Sequence, residues 1–170
     1  MKIFFASDIH GSAYYARLLK EKYIEEKADK LVLLGDLLYH GPRNDLPKEY
    51  NPKEVIEILN SIKNEILCIQ GNCDTEVDQM VLEFPILADY AIMYLDDKML
   101  YITHGHHHNP QNPPMLKKGD YLMNGHTHVS AIQECGEFVY LNPGSVSIPK
   151  EGTGHSYMIY ENGKFELKSL

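Results

Sequence analysis

The sequence predicts an α/β protein, α+β in its detail, in which mixed β-sheets carry helices on their outer side. Three observations lead to this fold class: a length of 170 residues with 44% hydrophobic content, an alternation of apolar runs and helical segments in the first half, and hairpin signals in the second half. A chain of this size buries one core of ordinary dimensions. We therefore expect a single domain over residues 1–170.

The first half is typical of a βαβαβ unit. Short apolar runs suited to buried strands begin with KIFF, KLVLL and EILCIQ, and each is bounded by glycine or a polar residue. Between them lie SAYYARLLKEKYIEEKA, with apolar positions at helical spacing, and PKEVIEILNSIKN, which starts at Pro52. Proline is favoured in the first turn of a helix, so both segments are predicted helices.

The second half is typical of antiparallel hairpins. LDDK joins YAIMY to KMLYI, ECGE precedes FVYL, and ENGK places an Asn-Gly turn between SYMIY and FELKSL. Asn-Gly is a frequent two-residue hairpin turn. The run YAIMYL fits an exposed apolar edge and a core strand equally well, and an exposed edge would allow a homo-oligomer.

The composition excludes several classes of protein. The formal net charge of −8 and the scattered lysines leave no basic field for a nucleic-acid backbone. No apolar run reaches the roughly 18 residues of a membrane span, and MKIFFASD is not typical of a signal peptide. Three cysteines without CxxC spacing indicate free thiols in a reducing compartment. We therefore expect a cytoplasmic protein that binds neither membranes nor nucleic acid.

Metal-competent side chains follow five of the apolar runs, at the point where each predicted strand ends. The ends of neighbouring strands in an open sheet share one edge, where ligands generally bind. Any one of these residues could be a turn residue or a helix cap, but the repetition favours a common site. Glycines beside them permit tight turns and close backbone approach. The side chains are Asp8, His10, Asp36, Asn72, His104, His126 and His128.

The pair His126 and His128 is weak evidence for a site when it is taken without the other candidate ligands. Residues two apart on an extended segment face the same side, so both rings can converge on one point. An isolated HxH pair is more often two surface histidines. The other members of the set are what favour a shared role.

The order of these motifs resembles that of the calcineurin-like metallophosphoesterases over most of the chain. The resemblance rests on Asp8-x-His10, Gly35-Asp36, Gly71-Asn72-x-Asp74, His104-Gly105-His106 and Gly125-His126-Thr127-His128. The segments GDLLYHGPRND, QGNCDTEVDQM and LNPGSVSIPK are more similar still to the small bacterial phosphodiesterases of the YfcE type. The resemblance implies the metallophosphoesterase (αββα) fold, in which two mixed sheets stack face to face with helices outside.

The resemblance also implies two divalent metal ions and a metal-dependent phosphodiesterase activity. Asp8, His10, Asp36 and His128 would hold the first ion, and Asp36, Asn72, His104 and His126 the second. This set of nitrogen and oxygen donors favours Mn²⁺, with Fe, Co, Zn or Ni as alternatives. Two such ions can hold a bridging hydroxide and clamp a phosphate during in-line displacement.

Cys73 departs from the pattern of related phosphatases and nucleases, which carry at this position a histidine that protonates the leaving group. A thiol is a weaker replacement for such an acid. We therefore expect a preference for phosphodiesters with acidic leaving groups, such as aryl esters. Cys73 is a candidate catalytic residue, although a small filler beside Asn72 fits equally well.

Two long proline-bearing loops are expected to rim the site. They are LLYHGPRNDLPKEYNP, after Asp36, and GHHHNPQNPPMLKKGD, after His104. Arg43 is the candidate substrate-binding residue because a guanidinium can bind phosphate bidentately. An ion pair of Arg43 with Asp45 or Glu49 is the alternative.

Other polar residues have expected positions of their own. His106 is placed near the metals and His155 in a structural role. Asp74 is expected to cap the following segment rather than to orient the loop of Asn72. The rim or surface histidines are His40, His107 and His108.

Two further functions compete with a small-molecule phosphodiesterase. A noncatalytic scaffold would be similar to the metallophosphoesterase-fold subunit of the eukaryotic retromer, but a scaffold has no need of seven intact ligands. A broad phosphatase or nuclease is the other alternative, and a nuclease would require a basic surface and a capping domain. The sequence leaves the physiological substrate open.

Overall fold

The computed structural model describes residues 1–170 as two five-stranded sheets with three α-helices. The helices are α1 Ala13–Glu26, α2 Pro52–Asn60 and α3 Glu76–Gln79, with a 3-10 turn at Lys63–Glu65. The strands are β1 Lys2–Ala6, β2 Lys30–Leu33, β3 Ile66–Cys68, β4 Ala91–Leu95, β5 Lys98–Ile102, β6 Tyr121–Met123, β7 Ala131–Cys135, β8 Phe138–Asn142, β9 Ser156–Glu161 and β10 Lys164–Ser169.

The first sheet has the strand order β10-β9-β1-β2-β3. Its parallel pairs β1–β2 and β2–β3 form the predicted βαβαβ unit, and β9 pairs antiparallel with β1. Asn162 and Gly163, between β9 and β10, have φ values of 51° and 78°. Both are left-handed, as a type I′ hairpin turn requires, so the Asn-Gly prediction is confirmed.

The second sheet has the order β4-β5-β6-β8-β7 and is also mixed. The predicted hairpins are confirmed at its two sides, where β4–β5 and β7–β8 pair antiparallel. At its centre, β5, β6 and β8 pair in parallel. The connection from β5 to β6, residues 103–120, contains no helix. Turn signals report only on sequence neighbours, so they could not show this parallel pairing.

The two sheets stack face to face, as the resemblance implied. Phe5 and Val32 of the first sheet share one buried cluster with Leu100, Ile102 and Met123 of the second. Burial of such side chains contributes about 1.5–3 kcal/mol each. The stacked sheets are therefore held by apolar contact along their inner faces.

The helices α1 and α2 cover the outer face of the first sheet. Leu19 of α1 and Val55 of α2 share a buried cluster with Phe4 and Leu31 of the sheet. The outer face of the second sheet carries a separate small cluster around Leu122, Phe138 and Tyr140, with no helix over it. No helix combines the length and the apolar character that a membrane crossing would require.

The run YAIMYL combines the two roles that the sequence left open. β4 is an edge strand. Tyr94 and Ile92 on its outer side are 72% and 45% exposed, whereas Leu95 is buried in the core between the sheets. Apolar residues on an unpaired edge are what self-association would use.

Candidate metal centre

The seven candidate ligands follow the carboxyl ends of strands from both sheets. Asp8 and His10 follow β1, Asp36 follows β2, and Asn72 follows β3. His104 follows β5, and the pair His126 and His128 follows β6. The stacked sheets bring these five loops together at one end of the molecule.

Three donor atoms converge at the first position. The Nε2 atoms of His10 and His128 lie 3.1 Å apart, and they lie 3.5 and 3.3 Å from Asp8 Oδ1. Asp8 Oδ1 is buried and has no hydrogen-bond partner. An unpaired buried carboxylate oxygen is costly unless it is compensated by a charge. The arrangement therefore suits a cation between these three atoms.

A second convergence shares Asp36 with the first. Asp36 Oδ2 lies 3.6 Å from His10 Nε2 and 3.4 Å from His104 Nε2. His104 Nε2 in turn lies 3.0 Å from Asn72 Oδ1. Donor atoms that bind one ion at about 2.1 Å lie about 3.0–3.5 Å from one another, so the measured separations fit first-row divalent metals. Asp36 is the residue in contact with both groups.

His126 enters the cluster in a different way. Its ring centroid is 5.1 Å from that of His104. Its backbone N–H donates to Asp8 Oδ2 at 3.0 Å. The structure thus brings six of the seven side chains to donor-atom distance, and His126 lines the cavity beside them.

Backbone carbonyls orient three of the imidazoles. Nδ1 lies 2.7 Å from the Tyr39 carbonyl in His10, 2.7 Å from that of Ile148 in His128 and 2.6 Å from that of Leu34 in His104. A carbonyl only accepts, so Nδ1 carries the proton and donates. In the neutral ring this leaves the Nε2 lone pair directed at the cluster, as metal binding requires.

The backbone is left-handed at five of the seven ligand positions. The φ values are 59° at Asp8, 49° at His10, 56° at Asp36, 63° at His126 and 62° at His128. Each such conformation costs about 1 kcal/mol or more for a residue with a side chain. Concentrated strain of this kind is typical of functional sites. The sequence contained no signal for it beyond the neighbouring glycines.

Two of the flanking glycines allow close approach between the ligand loops. A Cβ at Gly71 would lie 2.2 Å from Asp36 Oδ1, and a Cβ at Gly125 would lie 1.9 Å from Ser7 Oγ and 2.8 Å from Asp8 Oδ2. Both distances are far inside contact. These positions therefore admit glycine alone without movement of a candidate ligand.

Asp74 orients the loop of Asn72, which corrects the expectation that it caps a helix. Its carboxylate accepts N–H bonds from Asp36, Leu37 and Gly71 at 2.8–2.9 Å. The cap of α3 is Thr75, in a capping box with Asp78. Asp74 thus ties the loops after β2 and β3 together.

The segment after β8 supports Asp8 from behind, a contact that the sequence did not reveal. The hydroxyls of Ser145 and Ser147 donate to the Asp8 carbonyl at 2.8 and 3.0 Å. All three residues are buried. The backbone of Asp8 is therefore fixed by a segment 137 residues further along the chain.

The electrostatics of the cluster favour a positive charge. Burial alone would raise the pKa of Asp8, but His10 and His128 lower that pKa well below its ordinary value. Burial also works against protonation of His104, yet Asp36 and Asp8 raise the pKa of His104 to about 9. The buried carboxylates thus stabilise a positive charge beside them, which a divalent cation can supply in place of a proton.

A small cavity of about 60 Å³ opens beside the cluster. Arg43 and Lys150 both line it. Arg43 forms no ion pair with Asp45 or with Glu49. Glu49 is paired with Arg17 instead. Sequence reasoning missed Lys150, which ends the segment LNPGSVSIPK and whose backbone N–H donates to the His128 carbonyl at 3.1 Å.

Cys73 lies against the same cavity. Its backbone N–H donates to Asp36 Oδ1 at 2.8 Å, and Asn72 Nδ2 donates to its Sγ at 3.3 Å. The Sγ atom lies within 4.8 Å of donor atoms of His10 and Asp36. Burial and the nearby Asp36 charge raise the pKa of the Cys73 thiol to about 12.

The remaining histidines divide between the rim and the core. The ring centroid of His106 is 5.5 Å from that of His104 and 6.2 Å from that of His126. Burial and these neighbouring rings lower the pKa of His106 to about 4. His155 stacks on Tyr15 at 4.0 Å, in the expected structural role. His40 and His108 are half-buried and His107 is exposed.

Known proteins are similar to this chain in sequence and in fold. A family model described as a calcineurin-like phosphoesterase superfamily domain matches residues 1–164. Over 170 residues the chain is 47% identical to the phosphodiesterase YfcE of Escherichia coli strain K12. The matched region covers 100% of this chain and 92% of that protein. The solved structure of YfcE from E. coli matches 95% of this chain and 89% of that one with a TM-score of 0.93.

More distant proteins share the fold. The chain is 26% identical over 152 residues to the phosphodiesterase MJ0936 of Methanocaldococcus jannaschii, covering 85% of this chain and 83% of that protein. Vps29 of Entamoeba histolytica, solved with Zn²⁺, matches with a TM-score of 0.61 at 18% identity, over 99% of this chain and 97% of that one.

Proposed function

The chain belongs to the calcineurin-like phosphoesterase superfamily and is a phosphodiesterase, and we propose that it hydrolyses a small phosphodiester with two divalent metal ions. The observation that carries the two-metal proposal is Asp36 Oδ2, which lies within 3.6 Å of donor atoms from two separate groups. A carboxylate is the natural group to share between two dications.

The proposed ligands divide between the ions around Asp36. The first ion would be held by Asp8, His10, Asp36 and His128, and the second by Asp36, Asn72, His104 and His126. The donor set contains oxygen and imidazole nitrogen, which favours Mn²⁺ and admits Fe, Co, Zn or Ni. When bound, two such dications supply Lewis acidity toward a phosphate oxygen and lower the pKa of a water molecule to near neutrality.

The side chains at the cavity rim would bind and orient the phosphate. Arg43 and Lys150 provide positive charge beside the cluster, in a protein whose formal net charge is −8. A guanidinium can donate two parallel hydrogen bonds to phosphate oxygens and an ammonium acts as a point charge, so the pair would fix the phosphoryl group in one orientation.

Neither Cys73 nor His106 is suited to protonate a strongly basic leaving group at neutral pH. The pKa of the Cys73 thiol is raised to about 12 by burial and by Asp36. The pKa of His106 is lowered to about 4 by partial burial and by its neighbours, so this ring is neutral near pH 7 and is a weak proton donor. General acids work best with a pKa near the operating pH. Diesters with acidic leaving groups, such as aryl esters, are therefore the proposed substrates.

Substrate preference and metal content together test the proposal. The protein is stripped of metal by a chelator, reloaded in turn with Mn²⁺, Fe²⁺, Co²⁺, Zn²⁺ or Ni²⁺, and counted by elemental analysis. Turnover is compared for bis(4-nitrophenyl) phosphate, 4-nitrophenyl phosphate, glycerophosphodiesters and cyclic nucleotides. Two ions per chain and a clear preference for the diester are expected.

Asp36→Asn is the matched control, since it keeps the size of the side chain and removes the shared charge. We expect loss of both turnover and metal. A monoester preference would overturn the substrate proposal. Turnover that survives Asp36→Asn would show that the reaction occurs elsewhere.

The proposed partner is a small molecule, and the cytoplasmic location stays a prediction. The negative net charge disfavours a nucleic-acid duplex, which a gel-retardation assay with DNA checks. A scaffold role is the competing proposal. The 47% identity to a phosphodiesterase over the whole chain favours catalysis instead.

A further inference from the structure

A groove lined by aromatic side chains lies next to the proposed metal centre. We name it the aromatic groove and define it by Asp89, Tyr90, Tyr101, His106, His107 and His108. Its volume is about 330 Å³, more than a nucleobase or a phenyl ring occupies.

The aromatic groove lies close to the metal centre, and the two cavities have no lining residue in common. His106 lines it, and the His106 ring centroid is 5.5 Å from that of His104. Gln70 and Thr103 line it too. These residues lie two positions before Asn72 and one before His104, so the segments that carry these two candidate ligands also contribute to the groove.

The side chains of the aromatic groove are arranged as ring contacts. Tyr90 and Tyr101 stack with centroids 5.1 Å apart and an interplanar angle of 14°. His108 meets Tyr101 edge-on at 6.1 Å, and His106 lies 4.0 Å from His107. Tyr90 remains 52% exposed. A planar ring that enters the groove would find aromatic surface on more than one side.

The charges of the aromatic groove restrict its occupant. Asp89 is its acidic residue, and neither lysine nor arginine lines it. A second phosphate would be repelled there, whereas an uncharged ring would not. This separates the groove from the metal cavity, where Arg43 and Lys150 supply positive charge.

The metal cavity is much smaller than the two grooves beside it. A cavity of about 60 Å³ leaves room for little more than a phosphoryl group. Two grooves lie nearby and share His106 in their lining, and one of them also shares His126 with the metal cavity. The second groove, of about 670 Å³, has a mixed lining, with polar side chains such as Asn109 and Glu151 and apolar ones such as Val129. A phosphodiester has two substituents to place, and the grooves differ in chemistry.

We propose that the aromatic groove binds a planar aromatic substituent of the phosphodiester, an inference that rests on the function proposed above. Tyr90 and His107 are its specificity-determining residues. Ring stacking of this kind strengthens binding about twofold to tenfold. The preference would therefore appear in affinity and not only in turnover.

Binding of two phosphonates and one nucleoside monophosphate tests the inference through affinity in place of turnover. The affinities of methylphosphonate, phenylphosphonate and adenosine 5′-monophosphate for the Mn²⁺-loaded protein are measured by calorimetry. We expect at least one of the two aromatic ligands to bind about fivefold more tightly than methylphosphonate. Phenylphosphonate has its ring next to phosphorus, and the nucleotide has its ring one ribose away. Whichever of the two binds more tightly therefore identifies the distance from phosphorus at which the groove binds a ring.

Variants at the aromatic groove locate the preference. Tyr90→Ala should abolish it, whereas Tyr90→Phe, which keeps the ring, should retain it. Tyr94→Ala is the matched control, because Tyr94 is a 72% exposed tyrosine on the same edge segment and lines no part of the groove. His107→Ala, at an exposed position, provides an independent loss of ring contact.

The possible results separate the two proposals. Equal affinities for all three ligands, or a preference that survives both Tyr90→Ala and His107→Ala, would overturn the aromatic subsite and leave the phosphate site intact. If methylphosphonate and the aromatic ligands all fail to bind, the proposed phosphate site is wrong, and the subsite falls with it.

Discussion

Two parts of the metal centre differ in how firmly the protein holds them. We call Asp8, His10 and His128 the buried group, since they are 0%, 1% and 3% exposed. Asn72 and His126 form the open group, since the Asn72 side chain is exposed and His126 is half-buried. The other two proposed ligands of the second ion, Asp36 and His104, are buried. Fixed donors bind an ion tightly, and open donors leave room for exchange and for a substrate. We infer that the two proposed ions bind with different affinities.

Removing one ligand from each group should produce the largest difference in activity between two variants. His10→Ala removes a donor that faces both Asp8 and Asp36, and we expect kcat/KM for bis(4-nitrophenyl) phosphate to fall about 10³-fold. Asn72→Ala removes an exposed donor, and a fall of about 10- to 100-fold is expected. Elemental analysis should find that His10→Ala retains fewer ions than Asn72→Ala. Equal losses of activity and metal would contradict the comparison.

Substitution at Gly71 should show how closely the loop of Asn72 packs against the shared ligand Asp36. The added Cβ of Gly71→Ala would lie 2.2 Å from Asp36 Oδ1. We expect a loss of about 3 kcal/mol in the free energy of unfolding, measured with urea, together with loss of metal. Gly154→Ala is the matched control, because a Cβ there meets nothing within 4 Å. Its effect should stay within about 0.5 kcal/mol.

The stability of the metal-free protein should depend on pH, because the cluster of ligands stabilises a positive charge. The pKa of His104 is raised to about 9 by Asp36 and Asp8, against the effect of burial. A raised folded-state pKa contributes stability that is complete below about pH 6.5 and is lost as the pH rises through 9. The metal-free protein should therefore lose about 3 kcal/mol between these values.

Calorimetric melting with and without Mn²⁺ measures this loss. In the loaded protein the cation replaces the proton, so its melting temperature should change little over the same range. A metal-free protein that gains stability between pH 6.5 and 9 would show that the carboxylates do not govern the site.

Asp74→Asn should affect the open group more than the buried group. The amide has one acceptor where the carboxylate accepts three backbone N–H bonds, which tie the loops of Asp36 and Asn72 together. A loss of about 2 kcal/mol in stability is expected. The affinity for the weaker ion should fall about 10-fold or more, as titration with Mn²⁺ would show. An equal fall for both ions would mean that Asp74 supports the whole centre.

Cys73→Ser should have the smallest effect. Burial is the largest cause of the raised pKa of this thiol, about 12, so we expect no contribution to the rate from its ionisation between pH 7 and 9. Turnover of bis(4-nitrophenyl) phosphate should stay within about threefold of the unmodified protein. A larger loss, with a changed pH–rate profile, would return Cys73 to a chemical role.

The fold was predictable to the extent that its signals are local. The βαβαβ unit and the Asn162-Gly163 hairpin follow from periodicity and turn chemistry within about ten residues. The parallel position of β6 between β5 and β8 does not. It depends on which strands bury the most apolar surface against the first sheet, a property of the assembled chain.

The site divides in the same way. Residue type and position after a strand singled out Asp8, Asp36 and His104 from the sequence. The function of Asp74 and the presence of Lys150 at the rim were not visible there, because each acts through backbone groups of distant segments.

The sequence by itself determined which donor types are present, where strands end, and which glycines allow the chain to turn there. Only the tertiary structure decided that the carbonyls of Tyr39, Ile148 and Leu34 fix the imidazoles, and that Asp36 faces two donor groups. The physical reason is that side-chain chemistry belongs to single residues. The orientation of a ring or a carboxylate depends on groups that only folding brings within hydrogen-bond distance.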